Sequence, residues 1–370
     1  MKCDYYANAR CRSCSELPLP YDDQLARKQS IAERALSRFS PAQWWSPVRS
    51  PESGFRNKAK MAIGGSVDAP TLGLLNGHGA GVDLMQCPLY PPTMQAALAG
   101  IRAALIAARV PPYDLGTRRG EAKYALLTEA PGTGELMLRF VLRSRESVER
   151  ISKQIAALQV ALPALRVVSI NLLPEHKAVT EGDTEILLTA TESVRCRLND
   201  TEFRLTPRSF LQTNSVVGAA LYQQAREWIG ERQPVSVWDL YCGVGGFALH
   251  AYSPGRRVVA VESTAEAIAA ARISNPAIEW IRADAADWAC AQPAVAECVI
   301  VNPPRRGIGG RLAGWLNQSA ASTLVYSSCN IETLANDLAS MPNYRIVAAR
   351  VFDMFPHTTH FETLVLLQLR

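Results

Sequence analysis

From about residue 205 onward, short apolar runs alternate with helix-prone stretches. Val235–Tyr241, Val258–Glu262, Glu279–Ile281, Cys298–Asn302, Leu324–Ser328, Tyr344–Phe352 and Glu362–Gln368 read as strands, and helical stretches fall between most of the first five. Such alternation predicts an α/β doubly wound sheet. Asp353 to Phe361 is too short for a crossover helix, so the last two strands are expected to form an antiparallel hairpin.

Upstream the texture is mixed. Gln24 to Phe39 predicts a helix ending near Pro41, and Met94 to Val110 is an Ala-rich helical stretch that stops at Pro111-Pro112. Lys58 to Val67, Leu136 to Leu142 and Leu165 to Leu173 read as strands, and Ser147 to Leu162 as one amphipathic helix. The expected organisation is an N-terminal cysteine segment and helix (1–44), a central α+β domain contacting substrate (45–204) and the doubly wound domain (205–370).

Three runs in the last domain carry chemistry. Asp239-Leu240-Tyr241-Cys242-Gly243-Val244-Gly245-Gly246 is a strand entering a glycine turn, where the backbone can approach a ligand closely. Glu262 ends the next strand, 17 residues after Gly245, where a carboxylate can accept both hydroxyl protons of a ribose. The turn is not G-x-G-x-x-G, and no lysine follows it, which excludes a Walker phosphate loop. Asn302-Pro303-Pro304-Arg305-Arg306-Gly307 follows a second strand, and Cys329 follows a third in Ser327-Ser328-Cys329-Asn330. In an open parallel sheet these strand ends face one crevice. A nucleotide-type loop, a polar loop and a thiol together point to methyl transfer through a covalent cysteine adduct rather than to nicotinamide chemistry. Arg305 and Arg306 are available to orient a base, to grip phosphate or to form structural ion pairs.

Composition narrows this only slightly. Over 370 residues the chain is 48% hydrophobic and 20% charged, with a net charge of +5 that permits a polyanionic partner without requiring one. Short basic segments occur at Phe55–Lys60 and Gly116–Lys123. No apolar run is long enough to span a bilayer and Met1–Tyr6 lacks a signal-type apolar core, so the expected setting is cytoplasmic. In a reducing compartment the nine cysteines are not a disulfide framework. Cys3-x7-Cys11-x2-Cys14, with Cys87 before Pro88, has ligand spacing for zinc or an iron–sulfur cluster. Cys196, Cys242, Cys290 and Cys298 read as small buried residues.

Taken together, these motifs resemble the RNA uracil-C5 methyltransferases, and the likeness spans essentially the whole chain. It includes the opening cysteines, Gly54–Lys60, Leu138–Ser144, Ser209–Asn214, the glycine loop, Asn302–Gly309 and Phe352–His360. The resemblance implies a class I (Rossmann-like) S-adenosylmethionine methyltransferase domain, contacts to that cofactor from Gln212, Tyr241, Glu262 and Asn302, a nucleophile at Cys329 and a proton-abstracting base at Glu362. It also implies a [4Fe–4S] cluster on Cys3, Cys11, Cys14 and Cys87, and 23S rRNA as substrate, with no membrane and no obligate protein partner. Two departures bear on this. Many relatives have Asp where this chain has Asn302, and there is no room before Cys3 for the RNA-binding barrel that some relatives carry. Two rivals are an amino methyltransferase, whose Asn-Pro-Pro loop continues with an aromatic where this chain has Arg305, and a non-catalytic iron–sulfur RNA-binding protein, which would have lost Cys329 or Glu362.

Overall fold

An eight-stranded sheet organises the C-terminal part of the chain. Its strands are β1 (Gln43–Val48), β2 (Ser236–Leu240), β3 (Arg257–Glu262), β4 (Glu279–Arg282), β5 (Cys298–Val301), β6 (Thr323–Ser328), β7 (Tyr344–Phe352) and β8 (Glu362–Leu369). Their spatial order is β1-β7-β8-β6-β5-β2-β3-β4. Strands β2 to β6 run parallel, and β8 is antiparallel to both of its neighbours. The chain leaves β2 toward β3 and β4 on one side, then returns to place β5 on the other. That reversal opens a crevice at the carboxyl ends of β2 and β5. Because β8 is antiparallel, its first residue, Glu362, sits at the same edge as the last residues of β6.

The computed structural model describes residues 1–176, 179 and 181–370 and divides into two units. The unit just described comprises Cys14–Glu52, Leu198–Arg204 and Arg208–Arg370. Its core is built from strand residues such as Val299, Tyr326 and Val365, covered by helices Tyr21–Leu36, Gly309–Gln318 and Ile331–Ala339 through Leu36, Leu312 and Leu334. The predicted strands recur within about one residue at each end, and central ones such as β5 and β6 are apolar runs buried on both faces. Strand β1 was not anticipated. It is a half-buried edge strand paired only with β7, which tolerates Pro47 and leaves no apolar alternation to read.

The second unit comprises Met1–Ser13, Ser53–Arg197 and Leu205–Pro207. It holds a seven-stranded sheet ordered Gly81–Asp83, Pro70–Leu75, Lys58–Gly65, Ala122–Glu129, Leu136–Leu142, Leu165–Leu172 and Thr184–Leu187. Among the described strands Leu136–Leu142 and Leu165–Leu172 pair in parallel, and the other neighbours pair antiparallel. Helix Pro92–Ala107 buries Met94, Leu98, Ile101 and Leu105 in the same core. The stretch expected as one helix from Ser147 to Leu162 is two, Val148–Ser152 and Ile155–Ala161. The Gln154 N–H bonds to the Ile151 carbonyl in a tight turn between them, while Ile151, Ile155 and Leu158 keep one buried stripe.

The expected N-terminal iron–sulfur segment is corrected by this arrangement. Among the described residues, no group of three or more His, Cys, Asp or Glu side chains is arranged to hold a metal ion, so neither a [4Fe–4S] cluster nor zinc is supported at Cys3, Cys11, Cys14 and Cys87. The division between units falls at Ser13/Cys14, so Cys14 is counted with the unit of the eight-stranded sheet and the other three with the second. Cys11 Sγ is 3.4 Å from Ser13 Oγ. Burial, reinforced by Cys3 and Cys11, pushes the Cys87 thiol up to about 11. Spacing in sequence put the sulfurs on suitable turns, but did not determine the convergence of all four. Cys196, Cys242 and Cys298 are buried, whereas Cys290 is partly exposed.

Candidate active site

The glycine turn begins at Tyr241, which takes a left-handed conformation (φ 64°) directly after β2. At Gly245 (φ 87°) a Cβ would come within 2.3 Å of the Trp280 ring, so the turn can pack only with glycine. Glu262, ending β3, fastens the turn. Its Oε2 accepts the Gly243 N–H at 3.2 Å, and its Oε1 accepts the Thr264 N–H at 2.9 Å and the Ser263 and Thr264 hydroxyls at 3.0 Å. Asp239 lies beneath, fully buried, and accepts the Ala248 N–H at 2.8 Å. Burial raises its carboxyl to about 8, so its neutral form predominates at pH 7.

Asn302 follows β5, and its N–H reaches the Leu240 carbonyl at 3.3 Å. The proline-arginine loop then returns to the sheet through Asp337, which accepts the Tyr326 hydroxyl at 2.6 Å, the Ile308 N–H at 2.9 Å and the Gly309 N–H at 3.2 Å. Gly307 (φ 79°) makes that approach possible, because a Cβ there would lie 2.3 Å from Asp337 Oδ2.

Cys329 is half-buried just beyond β6. The next residue, Asn330, caps helix Ile331–Ala339 by accepting the Glu332 N–H at 3.1 Å, and its amide donates to the Arg305 carbonyl at 3.2 Å. The thiol is thereby held beside the Arg305 loop. Arg305 also directs Nη2 to His360 Nδ1 at 3.0 Å. A guanidinium beside a thiol favours the thiolate. Burial instead dominates and raises the thiol above its usual value, the Glu362 charge adds to that rise, and Arg305 offsets only part of it.

Glu362 is buried at the start of β8, where Ser327 Oγ donates to its Oε1 at 2.6 Å. Burial pushes its carboxyl up to about 7, despite the serine hydrogen bond. The connection preceding it is held by buried polar contacts. Lys28 makes a buried ion pair with Asp353 at 2.6 Å and donates to the Phe355 carbonyl at 3.0 Å, while Tyr21 donates to Asp353 Oδ2 at 2.6 Å. His357 Nε2 lies 2.8 Å from the Glu52 carbonyl.

One cavity of about 720 Å³ brings Gln212, Tyr241, Glu262, Asn302, Cys329 and Glu362 together, all from the same unit. Its size falls in the range of cofactor sites. A nucleotide-like cofactor fits its turn, since a Cβ on Gly243 would meet nothing within 4 Å and the Glu262 carboxylate lines the adjoining wall. Phe210, Asp284, Phe355 and His360 also line it. Sequence reasoning passed over these four. Phe210, Phe355 and His360 lie in stretches that carry the resemblance, and Asp284 had a local signal as the residue after a strand that caps helix Ala285–Cys290.

A mostly parallel sheet whose last strand in the chain inserts antiparallel between β7 and β6, with a glycine turn and carboxylate at its switch point, defines a class I methyltransferase fold. The chain belongs to the RNA uracil-C5 methyltransferase family. It is 45% identical, over the full length of both chains, to the 23S rRNA (uracil(747)-C(5))-methyltransferase RlmC of Yersinia pestis (strain Pestoides F), and equally to that of Yersinia pseudotuberculosis serotype I (strain IP32953). Residues 291–370 match the tRNA (Uracil-5-)-methyltransferase family. The Pyrococcus abyssi tRNA (uracil-54, C5)-methyltransferase, solved with S-adenosyl-L-homocysteine, superposes with a TM-score of 0.80 at 28% identity, covering 96% of this chain and 84% of its own. Among the described residues, no helix is long and apolar enough to cross a membrane.

Proposed function

We propose that this protein transfers a methyl group from S-adenosylmethionine to C5 of a uridine in 23S rRNA. The RlmC relatives act at uridine 747, and full-length 45% identity makes that position the expected target here. A cytoplasmic setting follows from that substrate. The observation that carries the chemistry is the meeting of Cys329 and Glu362 in the cavity that also holds the glycine turn and Glu262.

The bound cofactor supplies an electrophilic methyl group. Gln212, Tyr241, Glu262 and Asn302 are assigned to hold it, with Glu262 taking the ribose hydroxyls. Asn302 is neutral, so it can both donate and accept there. Uracil C5 is a poor nucleophile until the Cys329 sulfur bonds to C6, which places electron density on C5. After C5 has gained the methyl group, Glu362 removes the C5 proton. The electron pair of that C–H bond re-forms the C5–C6 double bond and expels the thiolate. A carboxyl at about 7 can hold or release a proton near neutrality, as this role needs. Such chemistry requires the target base to leave its stack.

The test is mass spectrometry of rRNA from cells with and without the gene, together with methylation of an rRNA fragment by purified protein. One 5-methyluridine should disappear on deletion and return on complementation. An unchanged 5-methyluridine complement overturns the reading.

A further inference from the structure

The second unit contains a cavity that the reaction does not use. Its volume is about 340 Å³, and Leu75, Tyr113, Lys123, Tyr124, Leu173 and His176 are among its walls. Neighbouring residues of a strand ordinarily face opposite ways. Here the pairing of Ala122–Glu129 with Leu136–Leu142 shifts register between Ala122 and Tyr124, and both Lys123 and Tyr124 line the cavity. The Tyr113 hydroxyl lies 3.1 Å from His176 Nδ1, with their rings 6.1 Å apart.

Lys123 is 8% exposed. Its ammonium donates to the Leu173 and Glu175 carbonyls, both at 2.7 Å, and lies 4.6 Å from the Tyr113 ring centre. Two of its three N–H bonds are thus used. A cation inside an aromatic wall disfavours a cationic guest, so this is not a cage for a quaternary ammonium. The surroundings favour a polyanion. Lys60 lies 5.3 Å from the Tyr124 ring centre, and the exposed loop that carries Leu115 into the wall also carries Arg118 and Arg119. Among the described residues of the wall Glu175 is the acidic one; its carbonyl accepts from Lys123, and its carboxylate charge also acts on that ammonium.

We propose that this cavity takes one unstacked base of the RNA substrate, other than the methylated uridine, with Tyr113, Tyr124 and His176 as stacking surfaces and the arginine loop on the adjoining phosphates. Flat aromatic walls beside cations are how single-stranded nucleic acid is gripped. The assignment rests on the RNA reading above.

Two measurements test it. Photo-crosslinking of the full-length protein to an rRNA fragment, followed by peptide mass spectrometry, should place a nucleotide other than the target on Tyr113, Lys123, Tyr124 or His176. Crosslinks confined to other residues overturn the proposal. Tyr124→Ala and His176→Ala should each weaken binding of that fragment about tenfold. Cofactor affinity, kcat at saturating RNA and the salt dependence of binding should stay as in the wild type, and Tyr124→Phe should restore affinity. Arg118→Ala with Arg119→Ala should instead flatten the salt dependence. Wild-type affinity in both alanine variants overturns the cavity assignment. His176 is exposed, so its variant and the crosslink decide the matter even where Tyr124→Ala fails to fold. A wild-type protein that does not methylate the fragment removes the RNA reading, and this proposal with it. Methylation with unaffected variants removes this proposal alone.

Discussion

Ser327 and Glu362 lie on adjacent antiparallel strands, both buried, and the serine hydroxyl donates to the glutamate at 2.6 Å. That bond favours the charged carboxylate, while burial favours the neutral acid and wins, leaving Glu362 at about 7. A base acts in its charged form. The acidic limb of the kcat/KM profile should therefore rise through about pH 7, and in Ser327→Ala it should move to higher pH. A limb that stays in place would detach Ser327 from the titration.

The same shift bears on stability. The folded value of Glu362 is raised above its unfolded value, so its stabilising contribution is complete below about 4.5 and is lost as pH rises through about 7. Glu362→Gln should gain stability relative to the wild type across that window and level off above it. The gain has an upper bound of about 3 kcal/mol. Thermal melts at stepped pH measure it, and a pH-independent difference would contradict the buried carboxylate.

Cys329→Ala should abolish methylation and form no adduct, since nothing then adds to C6. Glu362→Gln should add and accept the methyl group but retain the C5 proton. It should accumulate a protein–RNA complex that survives denaturing electrophoresis. Normal turnover by Glu362→Gln would place the base elsewhere.

Glu262→Ala removes a carboxylate that fastens Gly243 and Thr264 and faces the cavity. Loss of two charge-assisted hydrogen bonds should weaken cofactor binding by about 2–4 kcal/mol while leaving RNA binding intact. Calorimetry with S-adenosylhomocysteine gives the first quantity, and unchanged affinity would remove Glu262 from the site.

Arg305 is the charge that opposes the rise in the Cys329 thiol. Arg305→Ala should slow alkylation of Cys329 by iodoacetamide at pH 8, read peptide by peptide, and move its pH dependence upward. Faster alkylation would mean that the guanidinium shields the sulfur more than it ionises it.

Lys28→Ala should destabilise the fold by about 3–5 kcal/mol, because it leaves the fully buried Asp353 without its cation. Denaturant melts of Lys28→Ala and of the double variant Lys28→Met with Asp353→Asn separate this from loss of packing, and the double variant should recover part of the loss.

The local sequence determined the strands β2 to β8, the glycine turn and the polar loop after β5, because apolar runs, turn residues and connection lengths act over a few neighbours. It also placed Cys329 and Glu362 at strand ends, and strand ends of a doubly wound sheet share one edge. What the tertiary structure decided depends on residues distant in sequence. The register of β8 against β6 set Ser327 against Glu362, the buried Lys28–Asp353 pair fixed the connection leading to it, and the depth of the cleft, not the neighbouring arginine, set the direction of the Cys329 thiol. The opening cysteines mark the boundary most clearly. Spacing along the chain can place two sulfurs on one turn, but bringing four together is a matter of packing, and among the described residues no such group is arranged to hold a metal ion.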